Sequence, residues 1–138
     1  MKSLLVVLSL ISSTAFAVKM APGHYQGWDV DTQTVMADLV LNADQTLVFN
    51  LTTPDFVTPE PGCTGVYTEL DNDITSDVTC PMDFLPTAAV RMDISNVTDA
   101  GLLSSDGVEV PVYVDALGAD PIVFKMKLIV APVVNPVP

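Results

Sequence analysis

Basic residues are scarce. The 138-residue chain carries 5 Lys plus Arg against 17 Asp plus Glu. Nucleic acids and anionic membranes are held by cationic side chains that neutralise phosphates, so this deficit argues against both as partners. The two Cys and one His are too few for a closed zinc site built from Cys and His. No apolar run reaches the roughly 18 residues of a membrane-spanning helix. The seven glycines are scattered and form no phosphate-cradling loop. No Gly-x-Ser-x-Gly frame surrounds a serine. Any Ser-His-Asp set would need the sole histidine, His24, which lies beside Tyr25 in a strand-like stretch. No catalytic set and no cofactor is implied. Apolar side chains are abundant: 49% of residues are hydrophobic, enough to bury a core and unlike a disordered acidic chain.

The N-terminus reads as a signal peptide, residues 1–17. Met1-Lys2-Ser3 is basic, residues 4–11 are apolar, and Ala15-Phe16-Ala17 is an A-x-A cleavage site. No Cys follows Ala17, so no lipid anchor is expected. Losing Lys2 leaves 4 basic against 17 acidic residues, a net charge of 4 − 17 = −13. The remainder suits a single β domain over residues 18–130 and a flexible tail over residues 131–138. The expected location is periplasmic or secreted.

Two cysteines in an exported chain read as one disulfide. The midpoint between Cys63 and Cys80 falls between Asp71 and Asn72, inside the turn-prone string Leu70-Asp71-Asn72-Asp73. A two-residue loop there sets Leu70 opposite Asp73 and Cys63 opposite Cys80. Counting from a hydrogen-bonded Leu70–Asp73 pair puts the cysteines at a non-hydrogen-bonded position, where Cβ atoms approach closely. Closing a loop of this size adds about 3 kcal/mol in the chain-entropy model.

Period-two alternation runs through the rest. Val35, Ala37, Leu39 and Leu41 form one greasy face, and Leu47, Phe49 and Leu51 continue it after a turn at residues 43–45. Tyr67, Ile74 and Val78 line the Cys63–Cys80 hairpin. Val90, Met92 and Ile94 alternate, then Val108, Val110, Val112 and Val114, then Phe124 and Met126. Pro111 has no N–H and suits an edge strand or a bulge. With residues 23–30, this predicts an all-β domain: an antiparallel meander of about eight strands, closed as a small calycin-like barrel, or alternatively folded as a two-sheet β-sandwich. Proline-rich or turn-rich stretches over residues 53–62, 81–86 and 96–107 read as loops. The residues expected to face the barrel lumen are Leu39, Leu41, Leu47, Phe49, Tyr67, Val110, Val112, Phe124 and Met126.

Gly23-His24-Tyr25-Gln26-Gly27, followed by Leu39-Val40-Leu41-Asn42-Ala43-Asp44-Gln45-Thr46-Leu47, resembles the opening of the N-terminal domain of the NlpE family. These are envelope lipoproteins linked to copper resistance and surface sensing. The likeness covers residues 23–51 and implies a calycin-like envelope barrel. The family's CxxC between the first strand and the hairpin is missing from Trp28 to Met36, and so is its lipid-bearing Cys. The single disulfide is also similar to that of secreted bacterial barrel-type protease inhibitors.

Calcium favours clustered oxygen ligands, and Asp71, Asp73 and Asp77 are the candidates, although Asp and Asn also favour turns in their own right. Soft copper ligands would have to come from His24 and Met20, Met36, Met82, Met92 and Met126. Neither pattern makes a metal site the leading expectation. The function expected is that of an exported, non-enzymatic binding or accessory protein of the cell envelope that engages a protein partner through its loops. The alternatives are a small apolar ligand or a metal ion inside the barrel, a secreted enzyme inhibitor, and a structural subunit polymerising through an edge strand.

Overall fold

Strands present side chains to opposite faces at every second residue, so the alternating segments become strands with one buried face. The structure is a computed structural model describing residues 18–53, 56–82 and 86–129. The expected signal peptide (1–17) and tail (131–138) lie outside the described residues. The strands are β1 (Gly23–Asp29), β2 (Val35–Leu41), β3 (Thr46–Thr53), β4 (Phe56–Val57), β5 (Cys63–Leu70), β6 (Asp73–Thr79) and β7 (Thr87–Asp93). A short helix α1 (Asp99–Leu103), β8 (Val108–Val114), a 3-10 turn (Asp115–Leu117) and β9 (Ile122–Leu128) complete the elements of the described residues. Apart from the two-residue β4, eight antiparallel strands pair in sequence, and β9 returns to β1 through Tyr25↔Leu128 and Asp29↔Phe124. The result is a closed β-barrel, the meander that the alternation predicts, rather than a sandwich.

The β5–β6 hairpin has the register set by its turn: Leu70 pairs with Asp73 and Thr64 with Thr79. Asp71 takes a positive φ of 58° in the two-residue loop, a conformation that Asp tolerates better than most side chains. Continuing the register brings Cys63 opposite Cys80, and they form a disulfide across a Cα separation of 4.1 Å. Such a bond is the form this pair takes in an oxidising environment.

The barrel has two distinct ends. Cys63, Cys80, Leu51, Ala88 and Val114 lie at one, the disulfide end. The other is closed from below by the segment before β1 and by residues 94–107. Met20, Ile94, Val97 and Leu102 are buried there. Glu69 falls on the inward face of β5, and its carboxylate accepts hydrogen bonds from the backbone N–H groups of Lys19 (2.8 Å) and Met20 (3.4 Å). The Lys19 ammonium donates to the carbonyls of Ile94 and Ser95. An N-terminal strap is thereby fixed across the opening with Met20 as its plug.

Three features depart from the expected pattern. β7 begins at Thr87 rather than Val90, because Ala88 buries a methyl group too small to stand out in a hydrophobic pattern. Residues 96–107 are no free loop: α1 lies within them, capped by Thr98, whose hydroxyl oxygen accepts the Gly101 N–H at 3.0 Å. Pro111 is not on an edge strand, since β8 pairs with both β7 and β9. Its missing N–H shows instead in the β7–β8 ladder, which holds only Val90↔Val114, Arg91↔Tyr113 and Met92↔Val112 and stops one residue short of Pro111. This seam is the shortest ladder of the closed sheet.

Candidate functional site

The lumen is a packed core. Leu39, Leu41, Leu47, Phe49, Tyr67, Phe124 and Met126, the lumen candidates, are all buried, as are Val110 and Val112. Phe124 and Met126 are fully inaccessible and occupy the centre with Tyr25. At the disulfide end a gap of only about 20 Å³ remains among Phe49, Thr58, Cys63, Met82 and Leu117. A water needs about 10–15 Å³ on this measure, so the gap suits a single water and not an acyl chain. Its polar atoms are satisfied locally: the Leu51 N–H donates to the Thr58 hydroxyl oxygen.

Burial also sets the ionisation of the two inner tyrosines. The Tyr25 hydroxyl is pushed up to about 12, first by burial and then by the negative potential of Tyr67, Glu69 and Asp99. It donates to the Ala21 carbonyl of the strap at 2.5 Å. Tyr67 is shifted upward as well, again mainly by burial.

The three expected loops do not converge. The described parts of 53–62 and 81–86 lie at the disulfide end, where the 3-10 turn joins them; residues 54–55 and 83–85 lie outside the described residues. Val57 and Leu117 are 60% and 46% exposed on this rim, although Leu117 also borders the internal gap. Residues 96–107 lie at the opposite end as part of the floor. That lid was legible only as a turn-rich stretch, since five helical residues are too few to show a periodicity.

The metal candidates are dispersed. Asp71 is in the β5–β6 turn, while Asp73 and Asp77 are four residues apart on the outer face of β6, about 13 Å along a strand. Asp73 faces Arg91 at 3.3 Å. Among the described residues no group of three or more His, Cys, Asp or Glu is arranged to hold a metal ion. Of the proposed copper ligands, Met20, Met82, Met92 and Met126 are buried core residues, whereas His24 is on the outside. The His24 ring is 2.7 Å from Asp38. Across the β1–β2 ladder His24 faces Val40, and the next pair on the same face sets Asp38 opposite Gln26.

The outer wall carries two cation–aromatic contacts that the sequence did not reveal. The Arg91 guanidinium lies 4.0 Å from the Tyr113 ring centre, across the β7–β8 seam. The Lys127 ammonium lies 4.5 Å from the Trp28 ring centre, across β9–β1. The indole N–H of Trp28 is buried with no hydrogen-bond partner among the described residues. Above the seam, the Asp115 carboxylate accepts the Ala89 N–H at 3.0 Å, where β8 has already turned away. Beside it runs an open groove of about 570 Å³ bordered by Thr75, Arg91, Tyr113, Asp115 and Ala119. Only register and topology create these neighbours, so no local motif could have announced them.

Among the described residues, no helix is long and apolar enough to cross a membrane. No protein-family model, curated protein or solved structure matches the chain.

Proposed function

We propose that this is an exported, non-enzymatic binding or accessory protein of the cell envelope, periplasmic or secreted, that engages a protein partner through the loops of its disulfide end. The observation carrying this proposal is the filled lumen. With Tyr25, Phe124 and Met126 packed at its centre and a gap of about 20 Å³ at one end, binding has to use the outside. The disulfide rim combines irregular backbone with the exposed side chains of Val57 and Leu117, the combination from which recognition loops on rigid scaffolds are built. The hairpin's resemblance to the NlpE barrel and the signal-peptide pattern support the envelope assignment. Inhibition of a secreted enzyme is one form that such partner binding would take.

The experiment compares the full protein with a Val57→Lys/Leu117→Lys variant and with an outer-wall control, Val66→Lys. Each is used to capture partners from the native envelope and secreted fractions. A partner retained by the protein and the control, and lost from the rim variant, is the expected result. Equal recovery by all three would overturn the assignment to the rim. A hydrolytic activity abolished by His24→Ala would overturn the non-enzymatic reading.

A further inference from the structure

Four of the five Lys and Arg lie beyond residue 17, and three of them project from one outer wall, that of β7, β8, β9 and β1. The register lays them in a stripe. Arg91 pairs with Tyr113, Pro111 with Val123, and Lys125 is flanked by Glu109 and Trp28; Lys127 neighbours Gln26. From Arg91 to Lys127 the stripe spans a strand length of about 20 Å. On the opposite wall, the outward residues of β3, β5 and β6 include no Lys or Arg.

Two of these cations form no ion pair among the described residues. Among the described residues the ion pairs are His24–Asp38 and Arg91–Asp73. Lys125 and Lys127 form none, although Glu109 is the cross-strand partner of Lys125. Arg91 uses a single contact to Asp73, at 3.3 Å, with both side chains more than 40% exposed. A guanidinium has five donors, so most of its capacity is open. Both aromatic rings of the stripe lie against a cation.

We propose that this stripe docks an extended, acidic segment of a partner protein with carboxylates at alternate residues. The proposal rests on the reading of the protein as a binder of another protein, but it assigns a different surface and states the partner's chemistry. Lys125 and Lys127 are two residues apart on one strand face, about 6.6 Å. Alternate residues of an extended peptide repeat at the same spacing, so two successive carboxylates meet two ammonium groups. About six residues of extended chain reach from Lys127 to Arg91. Pro111 and Val123 between them offer apolar contact to the intervening side chains. The stripe is bordered by Asp38, Asp73, Glu109 and Asp115, so it suits carboxylates at spaced positions and not a continuous run of negative charge.

Trp28 is the only tryptophan, so its emission reports directly on the stripe. The test titrates the full protein with a seven-residue peptide alternating Asp and Ser, capped at both ends, read by Trp28 fluorescence and by calorimetry. Saturable binding is expected, weakening as salt screens the charges over about 8–10 Å. Lys125→Gln/Lys127→Gln should weaken it at least about tenfold, or 1.4 kcal/mol, whereas Lys127→Arg should retain it. Absence of calorimetric binding, equal affinity for the alternating Lys analogue, or an affinity unchanged in the double variant would overturn the proposal. So would tighter binding of an anionic polysaccharide such as polygalacturonate. The Val57→Lys/Leu117→Lys rim variant should bind the peptide normally, so failure of the rim reading and failure of the stripe are separable.

Discussion

Replacing Phe124 with alanine removes a ring from the centre of the barrel. The side chain is completely inaccessible, and large-to-small changes of this kind cost about 3–5 kcal/mol through lost transfer energy and the cavity left behind. Domains of this size are held by only about 5–15 kcal/mol in total, so the loss is severe but measurable. The partner perturbation is Gly27→Ala on β1. A Cβ there would lie 3.0 Å from Phe124 Cβ, 3.1 Å from Phe124 Cγ and 3.2 Å from Ala37 Cβ. These neighbours belong to paired strands and give way poorly, so the added methyl should cost about 1–3 kcal/mol by overpacking. Removing the ring in the same molecule takes away the Cγ clash and gives the methyl space. The double variant should therefore be less destabilised than the sum of the singles by at least about 0.5 kcal/mol. Urea unfolding followed by the fluorescence of Trp28 measures all three. With a slope of about 1.5 kcal/mol per molar, Phe124→Ala should lower the midpoint by about 2–3 M. Benzene should recover part of that loss by occupying a dry apolar cavity. A cost below about 1 kcal/mol for Phe124→Ala would refute the packed lumen, because a ring facing an open cavity leaves no new void when it is removed.

Four further outcomes are expected. Thiol titration of the denatured, unreduced protein should find no free thiol, and Cys63→Ala/Cys80→Ala should lower stability by about 3 kcal/mol for a closed loop of this size; two titratable thiols would contradict the pairing. Met20→Ala should cost about 2–5 kcal/mol and release the strap, seen as faster amide exchange at Lys19 and Met20, whose N–H groups now bond Glu69. Alkaline titration should show a tyrosinate forming near pH 12 for Tyr25. Because the folded value lies above the unfolded one, stability is intact below pH 10 and declines from there up to about 12; a midpoint at 10 would contradict the burial. At the acid end, Asp29, Asp44 and Asp93 are held below their usual range by hydrogen bonds from Thr32, Thr46 and Ser95 respectively. Their contribution is present above about pH 4 and lost as the pH falls through their lowered values, which chemical-shift titration of the three carboxyls would follow.

The barrel itself was legible because its strands carry one apolar face each. Leu39, Leu41, Leu47, Phe49, Phe124 and Met126 follow period two without interruption, and the Asp71-Asn72 turn alone fixed the register that pairs the cysteines. What stayed hidden depends on neighbours remote in sequence. Glu69 falls on the inward face of its strand, where alternation calls for an apolar residue. It is tolerated because backbone N–H groups about 50 residues earlier satisfy it. Met20 precedes the first strand and gives no periodic signal, yet it plugs the floor. Residues 96–107 contain the apolar Val97, Leu102 and Leu103 but too few helical turns to reveal an amphipathic face. The Arg91–Tyr113 and Lys127–Trp28 contacts exist only once β7 has met β8 and β9 has closed on β1. The missing N–H of Pro111 pointed to an edge strand or a bulge, yet β8 is paired on both sides and Pro111 itself faces Val123. Its effect falls on one ladder, the β7–β8 pairing that stops at Met92 and Val112, because the closed barrel has no long edge to offer.

Titration of the purified protein with a fluorescent fatty acid, followed by displacement with an unlabelled one, distinguishes binding on the outside from binding within. A barrel filled by Tyr25, Phe124 and Met126 predicts no saturable uptake at any concentration below that at which the probe forms micelles. Stoichiometric uptake of one probe per protein, displaced by fatty acid and abolished by Phe124→Trp, would contradict it and return the function to the lumen.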